Sequence, residues 1–219
     1  MNLELKNLTK KFKDFELKNI SFVIPSYSIT SIIGNNGAGK TTLMKILATL
    51  SIPSSGEIIL NGIKYEYNNF SKIRKNISVL FDSTGSLYMG LTVLQNIKYF
   101  LEISNNKYDE KEALNYLDKF SLLKYKDKVT SKISKGMKQK VAIIIALLKN
   151  SQLLILDEPY LGLDYESICL INSILIEQSK KKIVIISAQT LNPIDNPANY
   201  VLKINDGELE YFGDKEGVL

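Results

Sequence analysis

The sequence has no histidine and only one cysteine, Cys169, among its 219 residues. A single cysteine excludes a disulfide framework and is typical of a reducing compartment. No apolar run approaches the ~18 residues that a membrane-spanning helix needs, since the longest, residues 141–148, is followed at once by Lys149. The first twelve residues are too charged for a signal peptide. We therefore expect a soluble protein of the cell interior.

The length and composition suit one sizeable α/β domain with room for a helical insertion. Hydrophobic residues make up 45% of the chain, which is ample for a buried core. The net charge of +5 comes from lysines that are scattered, apart from a run at residues 180–182. Such a pattern predicts a solvated lysine-rich surface, or one that faces an acidic membrane, and gives little support for a nucleic-acid partner.

Residues 34–41 read G-N-N-G-A-G-K-T, which fits the G-x-x-x-x-G-K-[ST] pattern of phosphate-binding loops in nucleotide hydrolases. Glycines let the chain curl tightly enough for several backbone N–H groups to point at a triphosphate. In this pattern Lys40 reaches the β- and γ-phosphates, and the Thr41 hydroxyl binds Mg²⁺. A strand precedes the loop and a helix follows it, so the helix dipole is directed at the phosphates. The sequence therefore predicts binding of ATP or GTP by Asn35, Gly37, Ala38, Gly39, Lys40, Thr41 and Thr42.

The apolar periodicity predicts strands that alternate with helices, which indicates an α/β fold with a mostly parallel core sheet. The first two strands and the one at residues 57–60 favour an antiparallel N-terminal β-subdomain. We expect a single domain over residues 1–219, with the β-subdomain and the phosphate-loop core at about 1–84 and 150–219, and an α-helical subdomain at about 85–149. Strands are predicted at residues 3–8, 16–24, 28–33, 57–60, 77–81, 153–156, 183–187, 200–204 and 208–212, and helices at 41–47, 92–103, 110–120, 137–149 and 165–178.

The apolar strand at residues 153–156 ends in two acids, Asp157 and Glu158. Two acids after a strand are common turn residues, but beside a phosphate-binding loop they indicate the second half of an ATP site. Asp157 is placed to hold Mg²⁺ through water, and Glu158 to polarise the attacking water. Phosphoryl transfer depends mostly on positioning and charge neutralisation, so one well-placed carboxylate suffices as the base.

Residues 133–140 read I-S-K-G-M-K-Q-K, and together with the loop and the two acids they resemble the nucleotide-binding subunits of ABC transporters. The resemblance covers about residues 3–213, and the run is similar to the S-x-G-M-K-Q variant of the family signature, common in its drug- and antibiotic-exporting branch. A Ser and a Gly at a helix start offer a hydroxyl and N–H groups to an anion. The resemblance implies that Ser134, Gly136 and Met137 cap the γ-phosphate of ATP held by a second subunit.

Two weaker matches to the family leave alternatives open. Phe12 lies where the family stacks an aromatic ring on adenine, although a core position suits this residue nearly as well. Residues 162–164 resemble the loop that contacts the partner subunit, although Asp164 could equally be the N-cap of the next helix.

The sequence departs from the family at two positions. Where the family usually has a histidine after its last core strand, this chain has Gln189, whose amide can contact phosphate and water but cannot relay a proton. Where the family usually has a glutamine that contacts Mg²⁺ and communicates with the membrane partner, this chain has Asp82. A carboxylate there can ligate Mg²⁺ but repels the γ-phosphate. Gln95 is no substitute, because it lies inside a predicted helix.

The resemblance implies an ATPase that uses ATP and Mg²⁺, dimerises on ATP with a second ATPase subunit, identical or different, and drives a separate membrane permease. The signature variant favours export of a drug, peptide or antibiotic. We expect the subunit to lie at the inner face of the cell membrane, attached through its permease. Gln189 and Asp82 leave a second interpretation open, in which the chain is a catalytically weak regulatory subunit. Residues 85–133 are too short for the coiled coils of nucleic-acid maintenance ATPases, so no nucleic-acid partner is expected.

With no imidazole in the chain, we predict that the rate of hydrolysis at saturating Mg-ATP is flat between pH 6 and 8. Gln189 does not titrate in this range, whereas a histidine at its position would change charge near pH 6.5. Steady-state ATPase assays across the range test this. A clear break near pH 6.5 would contradict the role given to Gln189.

Overall fold

The computed structural model of the chain describes residues 2–81, 87–189 and 196–217, and these contain ten strands and six α-helices. None of these helices is both long and apolar enough to span a membrane. The strands are β1 (Asn2–Lys11), β2 (Glu16–Pro25), β3 (Ile29–Ile33), β4 (Ser55–Leu60), β5 (Ile63–Lys64), β6 (Ile77–Leu80), β7 (Leu153–Leu156), β8 (Ile183–Ala188), β9 (Tyr200–Asn205) and β10 (Glu208–Asp214). The helices are α1 (Lys40–Leu47), α2 (Phe70–Lys75), α3 (Val93–Ile103), α4 (Glu110–Lys119), α5 (Lys135–Leu148) and α6 (Tyr165–Ser179).

The strands form two sheets, as the sequence predicts. The N-terminal sheet is antiparallel, with strand order β2-β1-β4-β5. The larger sheet has the order β10-β9-β3-β8-β7-β6, and every neighbouring pair in it is parallel except β9 and β10. Strands β3 and β7 are buried along their whole length, because elements cover both faces of a parallel sheet.

Two hydrophobic cores lie on opposite faces of the larger sheet, and β7 contributes to both. Leu154 and Leu156 pack among the helices α3 to α6, whereas Leu153 and Ile155 pack towards α1 and the antiparallel sheet. This follows from the two-residue period of a strand, which directs successive side chains to opposite faces. Burying each of these side chains contributes roughly 1.5–3 kcal/mol, so the register of β7 is strongly specified.

Helix α2 is an element that the sequence does not predict. It has six residues, of which only Ile73 is buried, so it lacks the repeated apolar spacing that identifies longer helices. Its position depends on a contact with a distant turn: the Arg74 guanidinium donates to the hydroxyl and the carbonyl of Thr49, at 2.8 and 3.1 Å.

The division of the chain into a β-subdomain with the phosphate-loop core and a helical subdomain stays a prediction.

Lys182 is an exception to the solvated lysines that the composition predicts. It lies in the turn before β8 and is only 6% exposed, whereas Lys180 and Lys181 beside it are exposed. Burial, and to a lesser degree the charge of Lys181, lowers the pKa of Lys182 from 10.5 to about 8. The native state therefore binds this proton less tightly than the unfolded chain does, which destabilises the native state below pH 8.

We predict that Lys182→Met raises the free energy of unfolding at pH 7 by about 1–3 kcal/mol, since it keeps the buried stem and removes the charge. The advantage over the wild type should shrink as the pH rises from 8 to 10.5, where native Lys182 is increasingly neutral while the unfolded side chain is still charged. Urea titrations at pH 7 and pH 9.5 measure this. Lys180→Met, on the exposed neighbour, should change stability by less than about 0.5 kcal/mol. Equal stability of Lys182→Met and wild type at both pH values would contradict the prediction.

Candidate functional site

The loop at residues 34–39 connects β3 to α1 and owes its shape to glycines that no other residue could replace. Gly34 has φ 151°, and a Cβ there would lie 2.2 Å from the carbonyl oxygen of Ile204. Gly39 has φ 109° and directly precedes α1, and a Cβ there would lie 2.6 Å from the Leu17 side chain and 2.8 Å from the Phe15 ring. The loop is thus held against β9 on one side and against the β1–β2 hairpin on the other.

Lys40 is the first residue of α1 and is only 6% exposed, although it carries a charge. Its ammonium donates to the carbonyl oxygens of Gly34 and Asn35, at 2.7 and 3.1 Å. Ala38, also buried, donates its N–H to the Asn35 carbonyl at 3.2 Å. The amine therefore lies across the mouth of the loop, where the motif requires a phosphate-binding cation.

Thr41 and Asp157 come from distant parts of the chain and meet at the edge of the larger sheet. Asp157 directly follows β7, and its backbone N–H donates to the Leu80 carbonyl at 2.8 Å, which continues the ladder between β6 and β7. The Thr41 hydroxyl donates to Asp157 Oδ2 at 2.8 Å. Two of the three residues that the sequence predicts as metal ligands are thus adjacent.

Glu158 has a left-handed backbone with φ 46°, which is uncommon for a residue other than glycine or asparagine. Such a conformation costs roughly 1–3 kcal/mol and persists only where the surroundings enforce it. Glu158 lines a cleft of about 180 Å³ beside the loop. This cleft, called the P-loop cleft below, is lined by Phe15, Asn36, Gly37, Gly39, Lys40, Thr41, Thr42 and Glu158.

Ser187 is a residue of the site that the sequence interpretation missed. It lies near the end of β8 and is 1% exposed. Its hydroxyl donates to Asp157 Oδ1 at 2.5 Å and accepts from the Glu158 N–H at 2.8 Å. In the sequence it is only a polar residue at the end of an apolar run, and the parallel register of β7 and β8 is what brings it to both acids.

Two aromatic residues lie close to the loop, and the sequence analysis considered only one. Phe12 is 51% exposed, which excludes the core position left open above, and the Lys10 ammonium lies 5.3 Å from its ring centroid. Phe15 lines the P-loop cleft, and its ring centroid is 6.3 Å from that of Phe12. Two phenylalanines three residues apart in a charged turn are the signal that could have identified Phe15.

The signature residues lie at the start of α5 and do not line the P-loop cleft. Ser134 is the N-cap, and its hydroxyl accepts from the Met137 N–H at 3.2 Å. Gly136 lies against the loop after β7, since a Cβ there would be 3.3 Å from the Gly162 carbonyl oxygen. Gln139, one turn further along, is buried and donates to the Pro159 carbonyl at 3.1 Å. The signature helix is therefore attached to the segment that follows Glu158.

Asp164 is the N-cap of α6, as one of its two interpretations predicts. Its carboxylate accepts from the hydroxyl and the N–H of Ser167, at 2.6 and 2.8 Å. These hydrogen bonds, and more weakly Lys140 at 3.5 Å, lower the pKa of Asp164 to about 2. The carboxylate is exposed and ionised at neutral pH, so it remains accessible at the surface while it caps the helix.

Of the two positions that depart from the family, Gln189 and Asp82, the structure describes only Gln189. Gln189 directly follows β8 and is exposed. Asp82 follows β6 and lies outside the described residues. Gln95 accepts from the Thr92 N–H in the capping box of α3, at 2.9 Å, which agrees with its assignment to a helix.

The donor set beside the loop fits Mg²⁺. The Thr41 hydroxyl oxygen and the Asp157 carboxylate oxygen, 2.8 Å apart, are hard ligands. Lys40 directly precedes Thr41 in α1. Within residues 2–81, 87–189 and 196–217 there is no cluster of three or more Asp, Glu, His or Cys side chains. The other ligands of a magnesium ion here would include water and phosphate, as in other nucleotide sites, and the predicted ligand Asp82 lies outside the described residues.

Comparisons with known proteins agree with this geometry. A family model described as ABC transporter matches residues 17–161. The chain is 30% identical to the ABC transporter ATP-binding protein NatA of Bacillus subtilis, over 99% of this chain and 91% of NatA. It is 33% identical to the bacitracin transport ATP-binding protein BcrA of Enterococcus faecalis, over 94% of this chain and 67% of BcrA. Other relatives are named for import, among them a spermidine/putrescine import ATP-binding protein of Spiroplasma citri.

A solved structure gives the same result at the level of the fold. The dimeric post-hydrolysis state of an ATP-binding cassette bound to ADP and Pi superposes with a TM-score of 0.81 at 27% identity, over 97% of this chain and 98% of that one. The family match, the relatives and this likeness all include the loop, the acids and the helical region between them. The chain therefore belongs to the ABC transporter family and is one of its ATP-binding, ATP-hydrolysing subunits.

Proposed function

We propose that this subunit dimerises on ATP with a second ATPase subunit and that the cycle of closing and hydrolysis powers a separate membrane permease. The observation that carries the proposal is the hydrogen bond between Thr41 and Asp157, at 2.8 Å. It joins the two halves of an ATP site, and Thr41 lines the P-loop cleft together with Lys40 and Glu158. The loop, the metal ligands and a carboxylate base are then within reach of one triphosphate.

Residues in and beside the P-loop cleft have proposed roles towards Mg-ATP. The Lys40 ammonium exchanges its two loop carbonyls for oxygens of the β- and γ-phosphates, while the N–H groups of the loop and of Thr42 surround the phosphates. Thr41 and Asp157 hold the Mg²⁺, which neutralises phosphate charge. Phe12 is exposed next to Phe15 and offers its ring to the adenine.

Glu158 is the proposed base of the hydrolytic step. Its carboxylate accepts a proton from the attacking water as the water oxygen bonds to the γ-phosphorus and the bond to the bridging oxygen of ADP breaks. Gln189 is proposed to orient this water and the γ-phosphate through its amide. Its exposed position after β8 leaves the amide accessible for that contact.

The signature residues are proposed to complete the ATP site of the other subunit. Ser134, Gly136 and Met137 start a helix of 14 residues whose N-terminus attracts anions, yet they do not line their own P-loop cleft. A head-to-tail dimer brings this helix start to the γ-phosphate of the partner, and the exposed Asp164 lies in the same surface. Two ATP molecules are then enclosed between two chains.

The permease is proposed to dock in an apolar groove of about 540 Å³ between the end of β6, α3 and α5, called the α3–α5 groove below. Its walls include Val79, Phe100 and Ile145, which suit the apolar face of a helix. Lys149 also lines the groove, and burial lowers its pKa. Docking there places the subunit at the cytoplasmic side of the membrane.

We propose an exporter of a drug, peptide or antibiotic rather than an importer. The support is the S-K-G-M-K-Q form of the signature at residues 134–139, together with the similarity to a bacitracin transport protein. Importer subunits occur among the relatives at similar identity, so transport direction is the part of the proposal that needs an assay of its own.

We predict that Glu158→Gln forms a stable dimer in saturating Mg-ATP, because it keeps the phosphate contacts and removes the base. Its turnover should fall by about 100-fold or more. Analytical ultracentrifugation with and without Mg-ATP measures the dimer, and phosphate release measures the rate. The double variant Lys40→Ala with Glu158→Gln is the control and should remain monomeric. A Glu158→Gln protein that stays monomeric although it binds ATP would contradict self-dimerisation and favour the heteromeric regulatory subunit.

We further predict that two inactive variants restore hydrolysis when they are mixed. Lys40→Ala lacks a working phosphate loop, and Ser134→Arg blocks the signature, so each homodimer has no complete site. A mixed dimer has one complete site, made from the loop of one chain and the signature of the other. An equal mixture should recover up to about a quarter of wild-type activity, since half of the dimers are mixed and each has one site of two. A mixture as inactive as its components would contradict the shared site.

A further inference from the structure

The left-handed backbone of Glu158 needs a structural cause. Residue 158 has φ 46°, a side chain that lines the P-loop cleft, and an N–H that donates to the Ser187 hydroxyl at 2.8 Å. In the right-handed conformation that a glutamate ordinarily prefers, the peptide plane before it and the direction of its side chain would both differ. The hydrogen bond to Ser187 is therefore a contact that favours the orientation in which the carboxylate faces the cleft.

The same hydroxyl also fixes the neighbouring acid. Ser187 Oγ donates to Asp157 Oδ1 at 2.5 Å, while Asp157 Oδ2 accepts from Thr41 at 2.8 Å. The Asp157 carboxylate is thus held at both oxygens, once by each of two hydroxyls. A serine hydroxyl can do this because it donates one hydrogen bond and accepts others, whereas alanine can do neither.

The Ser187 side chain is also held rigidly by the sheet around it. It is 1% exposed and lies in a strand paired on both sides, with β3 and with β7. Its hydroxyl therefore has little freedom to rotate away from its two partners. A side chain held in this way transmits the position of the sheet to the two acids that follow β7.

We propose that Ser187 is the positioning residue of the hydrolytic site, which sets the Asp157 carboxylate and the Glu158 backbone together. This inference rests on the proposed role of Glu158 as the base. Ser187 contacts neither phosphate nor water in this role and acts through the two acids. Groups that orient metal ligands in this way typically account for 10- to 100-fold in activity or metal affinity.

The test compares Ser187→Ala and Ser187→Thr, since threonine keeps the hydroxyl and suits a strand. We expect Ser187→Ala to lower kcat by about 10- to 100-fold and to raise the Mg²⁺ concentration needed for half-maximal rate. The affinity for ATP without Mg²⁺, measured by calorimetry, should stay within about threefold, because the loop and Lys40 are unchanged. Ser187→Thr should recover kcat to within about threefold of wild type.

A matched control separates positioning from stability. Ser78 is also a fully buried strand serine, and its hydroxyl donates to the Ala146 carbonyl at 2.7 Å, away from the P-loop cleft. Ser78→Ala should lower the thermal midpoint about as much as Ser187→Ala does but leave kcat within about twofold of wild type. This control shows how much turnover is lost through the loss of a buried hydrogen bond alone.

A second comparison tests whether Ser187 acts through Glu158. In the Glu158→Gln background, measured under single turnover at saturating Mg²⁺, Ser187→Ala should cost less than about threefold, because the base that it positions is already gone and excess Mg²⁺ offsets the loss at Asp157. An undiminished cost in that background would overturn the proposal, as would a Ser187→Ala enzyme with wild-type kcat. Equal losses in Ser187→Ala and Ser187→Thr would also overturn it, because packing would then be the cause. If Glu158→Gln itself turned over at the wild-type rate, the proposed base would be wrong, a result that is distinct from all of these.

Discussion

The parallel register of β3, β7 and β8 is the constraint on which the rest of the structure depends. Ile33 pairs with Ala188 and Leu156 with Ile186, so the chain leaves all three strands at the same edge of the sheet. A slip of one residue would turn every side chain of a strand to the opposite face. It would remove leucines from both cores and separate Asp157 from the hydroxyls that hold it. The packing that stabilises the fold and the geometry of the ATP site are therefore set by the same two hydrogen-bond ladders.

The sequence predicts the parts of the molecule that depend on local pattern. The apolar run of β7, the helical period of α3 and the glycines of the loop are all recognisable from neighbours a few residues away. It fails where a residue takes its role from a distant partner. Ser187 meets Asp157 across 30 residues, and Lys182 is buried although the two lysines before it are exposed. Only the assembled sheet determines these contacts, so no periodicity reveals them.

The site relies on groups that do not titrate near neutral pH. Hydroxyls of Thr41 and Ser187 hold the metal-binding carboxylate, an amide stands where relatives usually have an imidazole, and the strain of Glu158 is retained by its surroundings. Hydroxyls and an amide thus supply contacts that do not depend on their own protonation, and the geometry of these contacts depends on whether the surrounding sheet is intact.

Helix α5 connects two surfaces that are distant from each other. Its 14 residues make a rod about 21 Å long, with the signature at its first turn and the wall of the α3–α5 groove near its last. Gln139 fixes the early part of the rod to the segment after Glu158. A tilt of about 10° about that point would move the far end by roughly 2 Å, given the helical rise per residue. In the proposed dimer the helix therefore couples the signature, at the nucleotide of the partner, to the groove proposed for the permease.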